Sequence, residues 1–155
     1  AIVVLLVATS CKKKQESTPV TKQEVVEAVV KQDINVEYTP VYLSPKARPV
    51  VVAWKEYIDV QNKVYELKNT DTAKLEKQLN DLEGLMTKLL NSETPAKLQT
   101  HLFERKLDLL SESVTDLRVL LGKETTKLED IKKGVSKIMQ GYGSSKNQIN
   151  AIYGG

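Results

Sequence analysis

Three short constellations in this 155-residue chain carry side chains able to do chemistry. His101, the single histidine, precedes Glu104 and Asp108 by about one and two helical turns, which would set an imidazole and two carboxylates along one helix face. A metal site inside a helical bundle, however, draws Glu and His from several helices, typically as Glu-x-x-His. That spacing is absent here. As a general base His101 also lacks a nucleophile or an orienting partner in the sequence, so it reads as a rim residue near a helix start. Glu129 and Asp130 are adjacent carboxylates, but neighbours on a helix point in different directions and cannot face one substrate together. In a first helical turn they favour the macrodipole instead. Gly141-Tyr142-Gly143-Ser144-Ser145-Lys146 has the composition of a phosphate-binding loop. Such a loop needs a strand before it and a helix start to turn amides toward the anion, and the residues preceding Gly141 are helical in pattern. No catalytic residue, metal ligand or cofactor site is therefore expected.

The remaining reactive group is Cys11, the single cysteine. It stands where the apolar run Ala1-Ile2-Val3-Val4-Leu5-Leu6-Val7-Ala8 and the small residues Thr9 and Ser10 give way to Lys12-Lys13-Lys14-Gln15-Glu16. This junction resembles the lipobox of bacterial lipoproteins, in which a hydrophobic signal peptide ends in small residues before a cysteine that becomes acylated. The resemblance implies that residues 1 to 10 are a signal-segment remnant and that Cys11 carries palmitate-type chains as a membrane anchor. It also implies a location in the bacterial cell envelope. Lys12, rather than an aspartate, follows the cysteine, which in the family's sorting rule points to the outer membrane, facing the periplasm. Two or more acyl chains anchor stably where one does not, at about 0.8 kcal/mol per buried methylene. Without the resemblance, Ile2 to Val7 could be a buried strand. No second strand of comparable strength follows, and the run is far short of the roughly 20 residues that cross a bilayer.

Composition is that of one folded domain, with 41% hydrophobic and 28% charged residues and few glycines and prolines. The net charge of +3 is small, and its excess gathers near Lys12, Lys13 and Lys14, where each lysine can contribute on the order of 1 kcal/mol at an anionic lipid surface. The rest is close to neutral, which argues against a nucleic-acid platform.

Composition and periodicity divide the chain after Cys11 into three regions. Residues 11 to 23 read as a lipid-anchored, flexible tether, since they contain almost no apolar side chains. Residues 24 to 49 read as an irregular arm: Glu24 to Lys31 could be a short helix, Ile34 to Tyr38 alternates like a strand, and Pro40, Pro45 and Pro49 keep the chain extended. Val41, Tyr42 and Leu43 are its candidate contacts with the domain. From Val50 onward apolar residues recur every three or four positions, giving one buried stripe per helix over about Val50–Lys68, Thr72–Leu90, Pro95–Leu121 and a last segment from Leu128 past Ile149.

Cap signals fall where the periodicity breaks. Asp71 is a candidate N-cap, Thr94-Pro95 suits a capped start with proline at the first position, Gly122 suits a left-handed C-terminus, and Thr126 with Glu129 has capping-box spacing. Short connections make consecutive helices antiparallel neighbours, so residues 50 to 155 are expected to be all-α, an up-down-up-down four-helix bundle. Two glycines within Gly141 to Ser145 cost about 1 kcal/mol each in a helix interior, so a kink or break is expected there, or close helix packing.

Two sets of residues are candidates for contact with a ligand or partner. Trp54, Tyr57, Tyr65 and Tyr142, with Tyr153, could line a small cavity at a bundle end, although core packing uses such residues more often. Leu102, Leu109 and Leu120 lie off the main stripe of the third helix and could form an exposed apolar strip. The favoured function is a non-catalytic, lipid-anchored envelope protein acting by protein binding or structural support. The alternative is a carrier holding a small apolar or aromatic ligand between its helices, and a large internal pocket beside the tyrosines would distinguish it.

Overall fold

The same three-and-four spacing that fills the second half of the chain with apolar stripes makes helix its dominant structure. The computed structural model describes residues 31–154. Cys11, the apolar run before it, the tether and the possible short helix from Glu24 up to Val30 lie outside the described residues. The chain is mostly helical, with α1 (Arg48–Ala53), α2 (Lys55–Glu66), α3 (Thr72–Leu90), α4 (His101–Leu121) and α5 (Leu128–Tyr153). Two short strands, β1 (Asp33–Asn35) and β2 (Asn69–Asp71), pair antiparallel with Ile34 opposite Thr70. The buried positions follow the stripes: Leu75, Leu79, Leu82, Met86 and Leu89 on α3, and Phe103, Leu107, Leu110, Val114 and Leu117 on α4. Each such side chain contributes roughly 1.5–3 kcal/mol when fully buried. α4 packs along α5, α3 lies against α2 and α4, and α2 also contacts α5.

The single helix expected over Val50–Lys68 is two. At Trp54 the backbone takes φ −94° and ψ 87°, outside the helical region, and its N–H closes a turn onto the Val51 carbonyl. Burying the indole with its N–H paired is the interaction gained: Nε1 donates to Ser92 Oγ at 2.9 Å, and the ring stacks on Tyr57 with centroids 5.3 Å apart. Val51 and Trp54 are buried while Ala53 is exposed.

Three capping expectations fail and one holds. Asp71 caps α3, its carboxylate accepting from the Lys74 amide at 3.0 Å. Pro95, at ψ 135°, is not helical; a 3₁₀ turn over Ala96–Leu98 intervenes, and Thr100 caps α4 by accepting from the Phe103 amide. Thr126 donates its hydroxyl back to the Leu120 and Lys123 carbonyls instead of capping, and α5 starts after Lys127. Gly122 ends α4 at φ −73°, so its turn needs no left-handed residue.

The arm is more ordered than its prolines suggest. β1 runs on either side into further bonds, from the Thr72 amide to the Gln32 carbonyl and from the Val36 amide to the Lys68 carbonyl. Ile34 is fully buried beneath this pairing. Beyond it, Asn150 on α5 clamps the arm twice, accepting from the Ser44 amide and donating to the Tyr42 carbonyl, both at 2.8 Å. Val41 and Leu43 are half-buried as expected, but the Tyr42 side chain is 79% exposed.

α5 runs unbroken through Gly141 and Gly143, where a break was expected. The glycines serve close packing. A Cβ on Gly143 would meet the Tyr38 hydroxyl at 3.0 Å and Val41 Cγ2 at 3.3 Å, and one on Gly141 would touch Leu110. Upstream, a Cβ on Gly134 would lie 2.6 Å from Leu117 Cδ1, with Leu117 itself locked in the core. Gly84, on the exposed side of α3, has nothing within 4 Å. Chemical denaturation should separate the two: Gly84→Ala gains about 0.5–1 kcal/mol from helix propensity, whereas in Gly134→Ala overpacking of about 1–3 kcal/mol outweighs that gain.

Candidate functional site

α2 and α5 meet along a seam built from the two helices' repeats. Tyr57, Gln61 and Tyr65 follow each other at intervals of four on α2, and Tyr142, Ser145, Lys146 and Ile149 occupy one face of α5. Tyr57 and Tyr142 are fully buried, and their rings pack tilted at 5.2 Å; Tyr65 meets Tyr142 edge-on at 6.0 Å, and Tyr38 of the arm meets Tyr65 at 6.4 Å. With Trp54 stacked on Tyr57, five aromatic rings form one continuous chain from the α1–α2 break to the arm.

Burying phenols requires partners for their hydroxyls, and the seam supplies them. Ser145 Oγ donates its one proton to the Tyr142 carbonyl at 2.7 Å, so the 2.6 Å contact with Tyr57 has the phenol donating to Ser145. Tyr142 donates to Gln61 Oε1 at 3.0 Å. Burial pushes both phenols well above the usual tyrosine range; the serine bond pulls Tyr57 back only in part, and Tyr57 raises Tyr142 further.

Lys146 is the unexpected member. It is 5% exposed, yet its ammonium meets no carboxylate among the described residues. It donates to the Tyr65 hydroxyl at 2.8 Å and lies over the Tyr65 and Tyr142 rings, 5.3 and 5.1 Å from their centroids. Such contacts favour the cation by about 0.5–2 kcal/mol each, but burial still lowers its pKa. Burial likewise raises Tyr65, and it raises Tyr38, with Tyr65 adding to the effect and the Val41 backbone opposing it.

The aromatic candidates Trp54, Tyr57, Tyr65 and Tyr142 are thus brought together, whereas Leu102, Leu109 and Leu120 lie on another helix. Leu102 is 55% and Leu109 40% exposed; Leu120 is half-buried against the core, so the expected strip is two leucines rather than three. Tyr153 packs apart from the cluster, with the Lys97 ammonium over its ring. His101, Glu104 and Asp108 are all exposed, and Glu129 and Asp130 pair with Lys132 and Lys133 along the helix surface. Gln61 had no signal in the sequence beyond its helical spacing from Tyr57 and Tyr65; Ser145 and Lys146 stood out only within the loop-like run from Gly141, and Tyr38 only within the alternation from Ile34, and none of these pointed to the seam. Among the described residues no group of three or more His, Cys, Asp or Glu could hold a metal ion, and no helix is long and apolar enough to cross a membrane. Comparison with protein-family models, curated proteins and solved structures finds no match to this chain.

The lysine has a measurable consequence. Because its native pKa lies below the ordinary 10.5, the unfolded chain binds more protons between those two values, so this residue makes stability rise with pH across that window. Below the native pKa both states are charged and the full desolvation cost remains. Lys146→Met should therefore stabilise the fold at neutral pH, and thermal melts should show its advantage shrinking as pH approaches 10. A constant difference from pH 7 to pH 10 would show that the ammonium is not desolvated.

Proposed function

We propose that this is a non-catalytic lipoprotein of the bacterial envelope, held to a membrane through acylated Cys11 and acting by binding a protein partner or by structural support. In this reading α2 to α5, with α1 as an N-terminal extension of α2, form an up-down-up-down four-helix bundle at the end of the tether, on the outer membrane and facing the periplasm. The anchor is carried by the lipobox-like junction at Cys11 and the lysines after it.

The binding half is carried by one observation. Leu102 and Leu109, seven residues apart and so on nearly the same side of α4, stand in solvent. The same helix buries Phe103, Leu107, Leu110, Val114 and Leu117 on its core face, so the exposed pair adds nothing to the fold. A carrier holding its ligand between the helices would need a void beside Tyr57 and Tyr142. Both are instead fully buried with their hydroxyls bonded, which favours the binding reading over the carrier.

Expressed from its native start, the protein should gain the mass of its acyl chains and partition with membranes, and Cys11→Ala should lose both. Equal membrane association of the two without an acyl mass shift would sink the anchor. Leu102→Ser/Leu109→Ser should cost no more than about 1 kcal/mol of stability, as two surface changes do, while weakening capture of the envelope protein that copurifies with the acylated form.

A further inference from the structure

A cleft of about 290 Å³ opens where the arm crosses α2 and α5, walled by Tyr38, Pro40 and Tyr42 of the arm, by Tyr65 and Lys68 at the end of α2, and floored by Met139 of α5. That volume is near the lower end of small-molecule sites, enough for one fused ring system. We propose that this cleft binds a planar aromatic molecule carrying one anionic group, a site distinct from both the helix interior and the α4 leucines.

The walls supply the aromatic half of the recognition. Tyr42 is held by its backbone, since Asn150 bonds its carbonyl and the Ser44 amide two residues on. Its ring nevertheless stands 79% exposed. An aromatic side chain on a pinned backbone offers stacking area with little ordering cost, because only two side-chain torsions remain to be fixed. Tyr65 is fixed too, by the Lys146 ammonium on its hydroxyl, and Tyr38 is seated over Gly143. Three phenol rings and a proline ring therefore face one space on a preformed frame.

The charge and hydrogen-bonding inventory supplies the anionic half. Lys68 is the one charged residue lining the cleft, and it pairs with no carboxylate among the described residues. The Tyr38 hydroxyl is turned away from the cleft into the notch at Gly143 and is inaccessible, so this residue offers its ring and not its oxygen. The Tyr65 hydroxyl accepts from Lys146, and its own proton has no acceptor among the described residues. Lys146, behind Tyr65, adds a second positive centre. One idle phenol donor on Tyr65, an unpaired ammonium on Lys68 and no lining acid favour an anion over a neutral or cationic group.

The test uses the full chain and two fluorescent probes with the same ring system, anilinonaphthalene sulfonate and its neutral counterpart phenylnaphthylamine, titrated by emission and by calorimetry. The sulfonate should bind saturably at one site. Lys68→Gln should weaken it by about 5-fold, as for one partly exposed charge contact, and leave the neutral probe unchanged. Tyr42→Ala, at a position too exposed to affect folding, should weaken both probes by about 10-fold through lost ring contact, with an unaltered melting curve as the control. Equal affinity of the two probes for the unaltered protein would overturn the anionic specificity. Indifference to Tyr42→Ala, or loss of binding in Leu109→Ser instead, would place the probe on the α4 surface and overturn the site.

Discussion

Two phenol hydroxyls buried between α2 and α5 constrain the rest of the structure. Tyr57 and Tyr142 gain the burial of large rings only if each oxygen finds a partner. The partners come from the opposite helix: Ser145 for Tyr57 and Gln61 for Tyr142. Sliding one helix along the other by a turn would separate both pairs at once. Apolar stripes tolerate such slippage because one leucine replaces another; a crossed pair of hydrogen bonds does not. The seam therefore sets the register of α2 against α5, and with it the position of the Trp54 indole between Tyr57, Phe103 and Ser92.

Around that register the arm becomes part of the domain. It is pinned at one end by the β1–β2 pairing over buried Ile34 and at the other by Asn150, and between them Tyr38 drops into the notch left by Gly143. The fixtures come from β2, which joins α2 to α3, and from α5, so the arm's path depends on α2, α3 and α5 being already in place. The same arrangement leaves Lys146 enclosed by Tyr65 and Tyr142 without a counter-ion among the described residues. A desolvated ammonium opposes folding unless it is compensated. Here the tyrosine hydroxyl and ring faces offset part of the cost, so the site combines stored cost with aromatic surface.

Much of the helical plan was legible before any coordinates. The stripes on α3 and α4 could be read because their heptad-like spacing admits one buried face, and Asp71 could be read as a cap because a short acceptor before a helix has an obvious donor three residues on. Errors came where a local rule competed with a distant contact. Trp54 looked like the interior of a helix because its partner Ser92 lies 38 residues on, beyond α2 and α3. Thr126 had capping spacing, but its hydroxyl found carbonyls at the end of α4. The glycines of α5 looked like a break because their propensity cost is local, while the contacts with Leu110 and Tyr38 that use their missing Cβ atoms come from elsewhere.

The candidate site divides in the same way. The aromatic residues were identifiable by type, and their helical spacing placed Tyr57 and Tyr65 on one side of α2. Gln61, Ser145 and Lys146 were ordinary polar residues until the seam closed, because a hydrogen bond across two helices leaves no periodic signature in either. By itself, then, the sequence determined the helical class and the buried stripes, since each depends on neighbours along the chain. Tertiary structure alone decided which phenols are satisfied, which lysine is buried without an acid, and where the arm leaves an open aromatic cleft. Those outcomes depend on groups 38 to 108 residues apart, and only packing brings such groups within hydrogen-bonding distance.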